Sequence, residues 1–211
     1  MPRLIGTISA HGFASEIVED DDQRVYYTAD ADIDADGANG QNGEQAAYMV
    51  GDQGSEFLAN GGMRMVDGKV ICAHEWARSI VLLDTDNEPK VFAGGVIAST
   101  TWYRNRARLA SDPASYVDAQ TIPYVVVPPL IVTSVIGVVR GCRARVTWQG
   151  KSVDCVVADL GPANRIGEIS IAAADVLGMN SSPRNGGVNN PEVLYELWPG
   201  LPAPGFELQP A

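Results

Sequence analysis

Two histidines and three cysteines are all that this chain of 211 residues offers, and both shortages exclude chemistry. His11 and His74 stand in no spacing that suits a zinc site or a nucleophile triad. Cys72, Cys142 and Cys155 are odd in number and contain no CxxC pair, so they describe neither a disulfide framework nor a metal knuckle. A two-residue hairpin at Gln149-Gly150 sets Cys155 opposite Ala144 and only diagonal to Cys142, which disfavours a bridge between those two. Positive charge is also scarce: 15 Lys and Arg against 26 Asp and Glu leave a formal net charge of −11. Nucleic acid and anionic membrane surfaces both need a basic footprint, so neither is an expected partner. No apolar run reaches membrane-spanning length, and the opening MPRLIGTISAHGFASEIVEDDD lacks the basic start and continuous apolar region of a signal peptide. No internal repeat or low-complexity tract is present.

What the chain does have is clustered negative charge. Glu16 to Asp36 carries nine carboxylates, at 16, 19, 20, 21, 22, 30, 32, 34 and 36, against one base, Arg24. From Val25 the residues alternate: Val25, Tyr27, Ala29, Ala31 and Ile33 on one face, Tyr26, Thr28, Asp30, Asp32 and Asp34 on the other. That is a strand with one packed side. Like charges along a strand face repel, so the ladder needs bound cations, cationic ligand groups or free solvent. A solvated edge strand that discourages aggregation is the plain structural alternative. Asp32 to Gly37, DIDADG, also opens like a calcium loop, but its twelfth position is Gly43 rather than a bidentate Glu, so no EF-hand and no metal are expected.

The segment Val157 to Gly178, VADLGPANRIGEISIAAADVLG, concentrates the chemistry. Asp159 ends an apolar β-type run, Gly161-Pro162 forces a corner, Ser170 opens an alanine-rich helix and Gly178 closes it. Asp159 and Glu168 therefore sit at element ends, nine residues apart, placed to hold two carboxylates across a cleft for acid/base work. A turn cap at Asp159 and a dipole-complementing acid at Glu168 would look the same at this level. The remainder reads as mostly β: Thr121 to Val127, a Pro128-Pro129 break, Leu130 to Val139, Cys142 to Trp148, Ser152 to Ala158, and a last strand through Leu194 to Leu197 after a turn at Asn185-Gly186-Gly187. Between Gly37 and Asp118 the pattern is weaker, with a helix expected near Glu75 to Leu83 and a second acidic patch at Asp84, Asp86 and Glu88.

YYTADADIDADG, YVDAQTIPYVVVPP, ADLGPANRIGEISIAAADVLGM and YELWPG, in that order over roughly residues 25–200, resemble the family 75 glycoside hydrolases, which are chitosanases. The stretch from about Gln41 to Ser115 matches poorly. The family's two essential acids lie in a GD-x-GP motif followed by IGE-x-S, here Ala158 to Pro162 and Ile166 to Ser170, so the resemblance implies that Asp159 and Glu168 are catalytic. Ala158 replaces the glycine before the first acid. A weaker resemblance, to expansin and lytic-transglycosylase domains, implies a double-psi β-barrel.

The resulting expectation is a mainly β, six-stranded double-psi β-barrel-like single domain with short helices and a long insertion. Residues 1–24 form an acidic N-terminal segment, 25–200 the catalytic domain and 201–211 a tail. The implied activity is endo-acting, inverting hydrolysis of β-1,4 bonds in chitosan, with Asp30, Asp32, Asp34 and Asp36 as substrate ligands, no cofactor, and a secreted monomer acting on a cationic polysaccharide. Cleavage of bacterial-wall glycan on the same barrel, or a non-catalytic carbohydrate- or cation-binding module, are the competing readings.

Overall fold

Twelve strands and two short α-helices make up the chain in the computed structural model, which describes residues 1–210. The first seven strands are β1 (Arg3–Ala10), β2 (Phe13–Glu19), β3 (Val25–Asp34), β4 (Tyr48–Met49), β5 (Met63–Val66), β6 (Lys69–Cys72) and β7 (Val96–Ile97). Then come β8 (Tyr124–Val127), α1 (Pro129–Ser134), β9 (Cys142–Trp148), β10 (Lys151–Leu160), β11 (Glu168–Ser170), α2 (Ile171–Leu177) and β12 (Val188–Pro202). Six of them close a barrel in the order β3-β11-β8-β10-β9-β12, with β12 pairing back onto β3. The β8/β10 and β3/β11 pairs are parallel and the other barrel pairs antiparallel. The six-stranded barrel expected from the sequence is therefore present. Among the described residues, no helix is long and apolar enough to cross a membrane.

Alternation explains the barrel's filling. Val25, Tyr27, Ala29, Ala31 and Ile33 all point inward from β3, where they meet Val125 and Val127 of β8 and Val153, Cys155 and Val157 of β10. Tyr27 and Tyr195, paired in register across β3 and β12, stack inside with ring centroids 4.9 Å apart. The opposite face of the same strands supports a second core. Tyr124, Val126, Val156 and Ala158 point outward and are covered by Ala35, Ala38, Tyr48, Leu58, Met63, Ile97 and Val117 from the long insertion. That insertion holds only two-stranded pieces, β4/β7 and β5/β6, so apolar contact with the barrel wall is what orders it.

Several local expectations are met. The hairpin β9/β10 turns at Gln149-Gly150 with Cys155 opposite Ala144, and all three cysteines are free and buried. Ser170 caps α2 by accepting from the Ala173 N–H, and Gly178 ends it in the left-handed conformation with φ 79°.

Others are corrected. Leu130 to Val139 is not a strand but begins with α1, because Pro128 and Pro129 sit at N-cap and N1, where a missing N–H and a fixed φ favour a helix start. The helix near Glu75 shortens to a 3-10 turn, Glu75–Ser79, since Val81 and Leu83 are drawn into bridges with Ser99 and Pro89. Residues 1–24, for which the sequence suggests no particular secondary structure, carry a hairpin, β1/β2, added to the edge of β3 through Val18 and Glu19. The last strand is much longer than Leu194 to Leu197 because β12 must reach both β3 and β9.

Candidate active site

Three cross-strand pairings set the acids in one row on the outer face of the barrel. Val126 of β8 pairs with Asp159 of β10 on one side and with Glu168 of β11 on the other. Glu168 in turn pairs with Asp32 of β3. Directly paired residues share a sheet face, so Asp32, Glu168 and Asp159 project together, with Val126 between the last two. Two strand spacings of about 4.8 Å put the Asp159 and Glu168 backbones roughly 10 Å apart.

Asp159 reaches that face through a β-bulge. Val153, Cys155 and Val157 point into the barrel, and strict alternation would send Asp159 after them. The β8/β10 register instead slips between Val157 and Asp159, leaving Ala158 as the extra residue and bringing Asp159 out beside Val126. The Ala158 carbonyl accepts from the Tyr103 N–H. Asp159 Oδ1 then accepts from the Trp102 N–H at 2.9 Å and the Leu160 N–H at 2.8 Å, which fixes the carboxyl group's rotation.

Glu168 is held by its neighbours on both sides. Gly167 has φ +96° and lies so close to β3 that a Cβ there would fall 2.6 Å from the Asp30 carbonyl oxygen. The buried Ser170 hydroxyl accepts from the Tyr124 and Ala173 N–H groups and donates to the Ile122 carbonyl, which uses its full capacity and pins β11 to β8 and α2. Glu168 Oε2 itself reaches back over Gly161, at the end of β10.

A cavity of about 830 Å³ opens over this row between barrel and insertion. Asp32, Asp34, Asp36, Asp159 and Glu168 all line it. Asp34 is fixed by the Tyr124 hydroxyl, which donates to Oδ2 at 3.0 Å, and by the Asp36 N–H, which donates to Oδ1 at 2.9 Å. Asp34, Asp36 and Asp159 each bring a carboxylate oxygen within 4.8 Å of the other two, and Asp36 Oδ1 is buried without a hydrogen-bond partner. An all-oxygen set of this kind suits a hard cation or an ammonium group. Asp30 is placed differently from its three companions. It is buried beneath the β1/β2 turn, where its Oδ2 lies 2.5 Å from His11 Nδ1, and it does not line the cavity.

The electrostatics follow from crowding and burial. Desolvation, then the charges of Asp34 and Asp32, push Glu168 up to about 8. Desolvation and Asp34 hold Asp159 well above the usual carboxylate range, and desolvation with Asp34 and Asp159 does the same to Asp36. Asp34 and Asp32 are raised chiefly by desolvation. Arg165 is the cation that offsets this, 3.4 Å from Asp32 Oδ2 and lowering Glu168 in part. Arg184 lines the cavity too, but its guanidinium donates to the Asp52 and Gly54 carbonyls.

The insertion contributes wall residues that the sequence did not single out. Glu56 is buried, accepts from the Phe57 N–H and Asn60 Nδ2, and is raised by desolvation. Trp76 and Asn60 stand on the same wall. No periodicity marks these positions, because the insertion is ordered by the barrel and not by its own pattern. No family model matches the chain, and no curated protein matches it in sequence.

Proposed function

We propose that the protein is an endo-acting glycoside hydrolase that cleaves β-1,4 bonds of chitosan with Asp159 and Glu168 as its two essential carboxyl groups. The observation that carries this reading is the row itself: two carboxyls flanking Val126, facing one cavity, with further acids alongside. Backbones roughly 10 Å apart let the two side chains stand on either side of a bound sugar, and the inverting course, with a water between base and sugar, is what the family 75 resemblance implies. One group donates a proton to the glycosidic oxygen while the other, ionised, activates that water. Raised pKa values keep a proton available in mildly acid solution, where chitosan's amines are also charged. Protonated amines entering the cavity favour ionised carboxylates, so substrate charge helps generate the base. The resemblance of the Asp159 and Glu168 segment to family 75 points to the same pair. A polymer such as chitosan does not enter cells, so this reading goes with work outside the cell.

The test is product analysis on chitosan, chitin and peptidoglycan side by side, with Asp159→Asn and Glu168→Gln. Chitosan oligomers should appear with the wild type, and each variant should lose 10² to 10⁴ in rate, the usual size of one acid/base contribution. Products from peptidoglycan alone would replace the substrate assignment, and near-normal rates in either variant would remove that residue from the mechanism.

A further inference from the structure

Two aromatics line the acid-lined cavity: Tyr48 is buried, whereas Trp76 is 49% exposed. Its exposed surface faces a cavity, so a ligand entering that cavity can cover apolar indole that nothing else in the fold covers. Trp76 is held in place. It belongs to the 3-10 turn Glu75–Ser79, anchored by the fully buried Ala77 and by Arg78, which pairs with both Glu75 and Glu88. The indole edge lies against Gly62, where a Cβ would come within 2.9 Å of the ring, and His74 stacks nearly parallel to it at 5.9 Å. Asn60, whose amide is already oriented by Glu56, stands on the same wall.

We propose that Trp76 is the stacking platform of a sugar subsite built by the insertion, one that binds a pyranose ring of a β-1,4-linked amino-sugar chain. A β-linked pyranose carries its hydroxyl and amino groups around the rim and presents C–H bonds on its faces. An indole covers such a face, and the acids of the barrel wall take the amines at the rim. A protonated amine that swings over the ring gains a further cation–π attraction, for which Trp is the best partner. The platform rests on the carbohydrate reading of the cavity and adds a residue outside the Asp159 and Glu168 segment.

The experiment titrates a glucosamine hexamer and a neutral N-acetylglucosamine hexamer into wild type, Trp76→Phe and Trp76→Ala, following tryptophan emission and affinity, with chitosan hydrolysis measured in parallel. Binding should shift the emission of wild type, and Trp76→Phe should lose that shift while keeping affinity within about threefold. Trp76→Ala should bind the glucosamine hexamer about tenfold more weakly, the order expected of one stacked or cation–π contact. Its loss in hydrolysis should fall on KM rather than kcat. If wild type leaves chitosan intact yet the Trp76 emission still shifts, the hydrolase reading falls and the subsite stands. If chitosan is cut but Trp76→Ala binds the hexamer as wild type does, the subsite falls and the hydrolase reading stands. Neither emission shift nor hydrolysis overturns both.

Discussion

Replacing Glu168 by Gln should stabilise the fold at neutral pH, the opposite of what removal of a structural acid would do. Glu168 titrates near 8 in the folded protein against 4.5 as its ordinary value. A carboxyl group whose folded pKa is raised contributes most to stability below its unfolded pKa and loses that contribution as pH climbs towards the folded one. Between those limits the folded state holds one proton more than the unfolded state, so stability falls by about 1.36 kcal/mol per pH unit. From pH 4.5 to 7.5 that is at most about 4 kcal/mol. Coupling to Asp32 and Asp34, together with the water that reaches the open side of the cavity, reduces it to about 2 kcal/mol. Glutamine keeps the shape and never ionises, and Glu168 makes no side-chain hydrogen bond among the described residues for the swap to break. The expected outcome is equal stability at pH 4.5 and a gain of about 2 kcal/mol, or roughly 4–8 °C in Tm, at pH 7.5. Urea unfolding at the two pH values, monitored by tryptophan emission, measures it. Identical pH dependence in wild type and variant, or a less stable variant at pH 7.5, would show that the carboxyl is already ionised and solvated in the fold.

Two further outcomes follow from the same row of acids. Asp32→Asn and Asp34→Asn should raise KM for chitosan oligomers at low salt and approach wild type at high salt, with about 0.2–1 kcal/mol for Asp32, whose partner Arg165 is half exposed, and more for the better-buried Asp34; variants indistinguishable from wild type in oligomer titrations at both salt levels would remove these acids from recognition. Deleting Ala158 removes the bulge's extra residue and sets Asp159 directly after inward-facing Val157, so Asp159 should stay outward opposite Val126 while the bond from the Tyr103 N–H to the Ala158 carbonyl is lost; the expected outcome is a folded variant about 1–3 kcal/mol less stable that keeps measurable turnover; a deletion variant that folds with no turnover at all would refute Ala158 as the extra residue of the bulge.

The alternation from Val25 to Ile33 was legible because one face of β3 is barrel core and the other is not, so local pattern and tertiary environment agree. The Ser170 cap, the Gly178 stop and the Gln149-Gly150 hairpin were legible for the same reason: each depends on residues a few positions apart. The bulge at Ala158 was not, since it exists only relative to Val125 and Val126 on another strand. Nor was the burial of Asp30, which needs a histidine brought over from the tip of the β1/β2 hairpin. Leu130 to Val139 misled because branched residues favour strands weakly, whereas two prolines at a helix start act on the backbone directly.

The position of the acids also follows from how β8 is clamped. Val125 and Val127 are packed in the barrel interior, while Tyr124 and Val126 are packed under the insertion, so one strand of four residues is buried on both faces. Parallel β10 and antiparallel β11 are hydrogen-bonded to its two edges, and each delivers its acid opposite the same valine. A site assembled on loops could relieve the repulsion among Asp34, Asp36, Asp159 and Glu168 by drifting apart. Here the backbone cannot move without opening one of two cores, so the repulsion is retained as raised pKa values instead of being released as motion. Preorganisation of that kind would serve the proposed hydrolysis, whose proton donor must be in place before the glycosidic bond begins to break. It also accounts for the division of the chain: the barrel sets the spacing of the carboxyls, and the insertion, which covers Val126 and Val156, supplies the wall that lies against them.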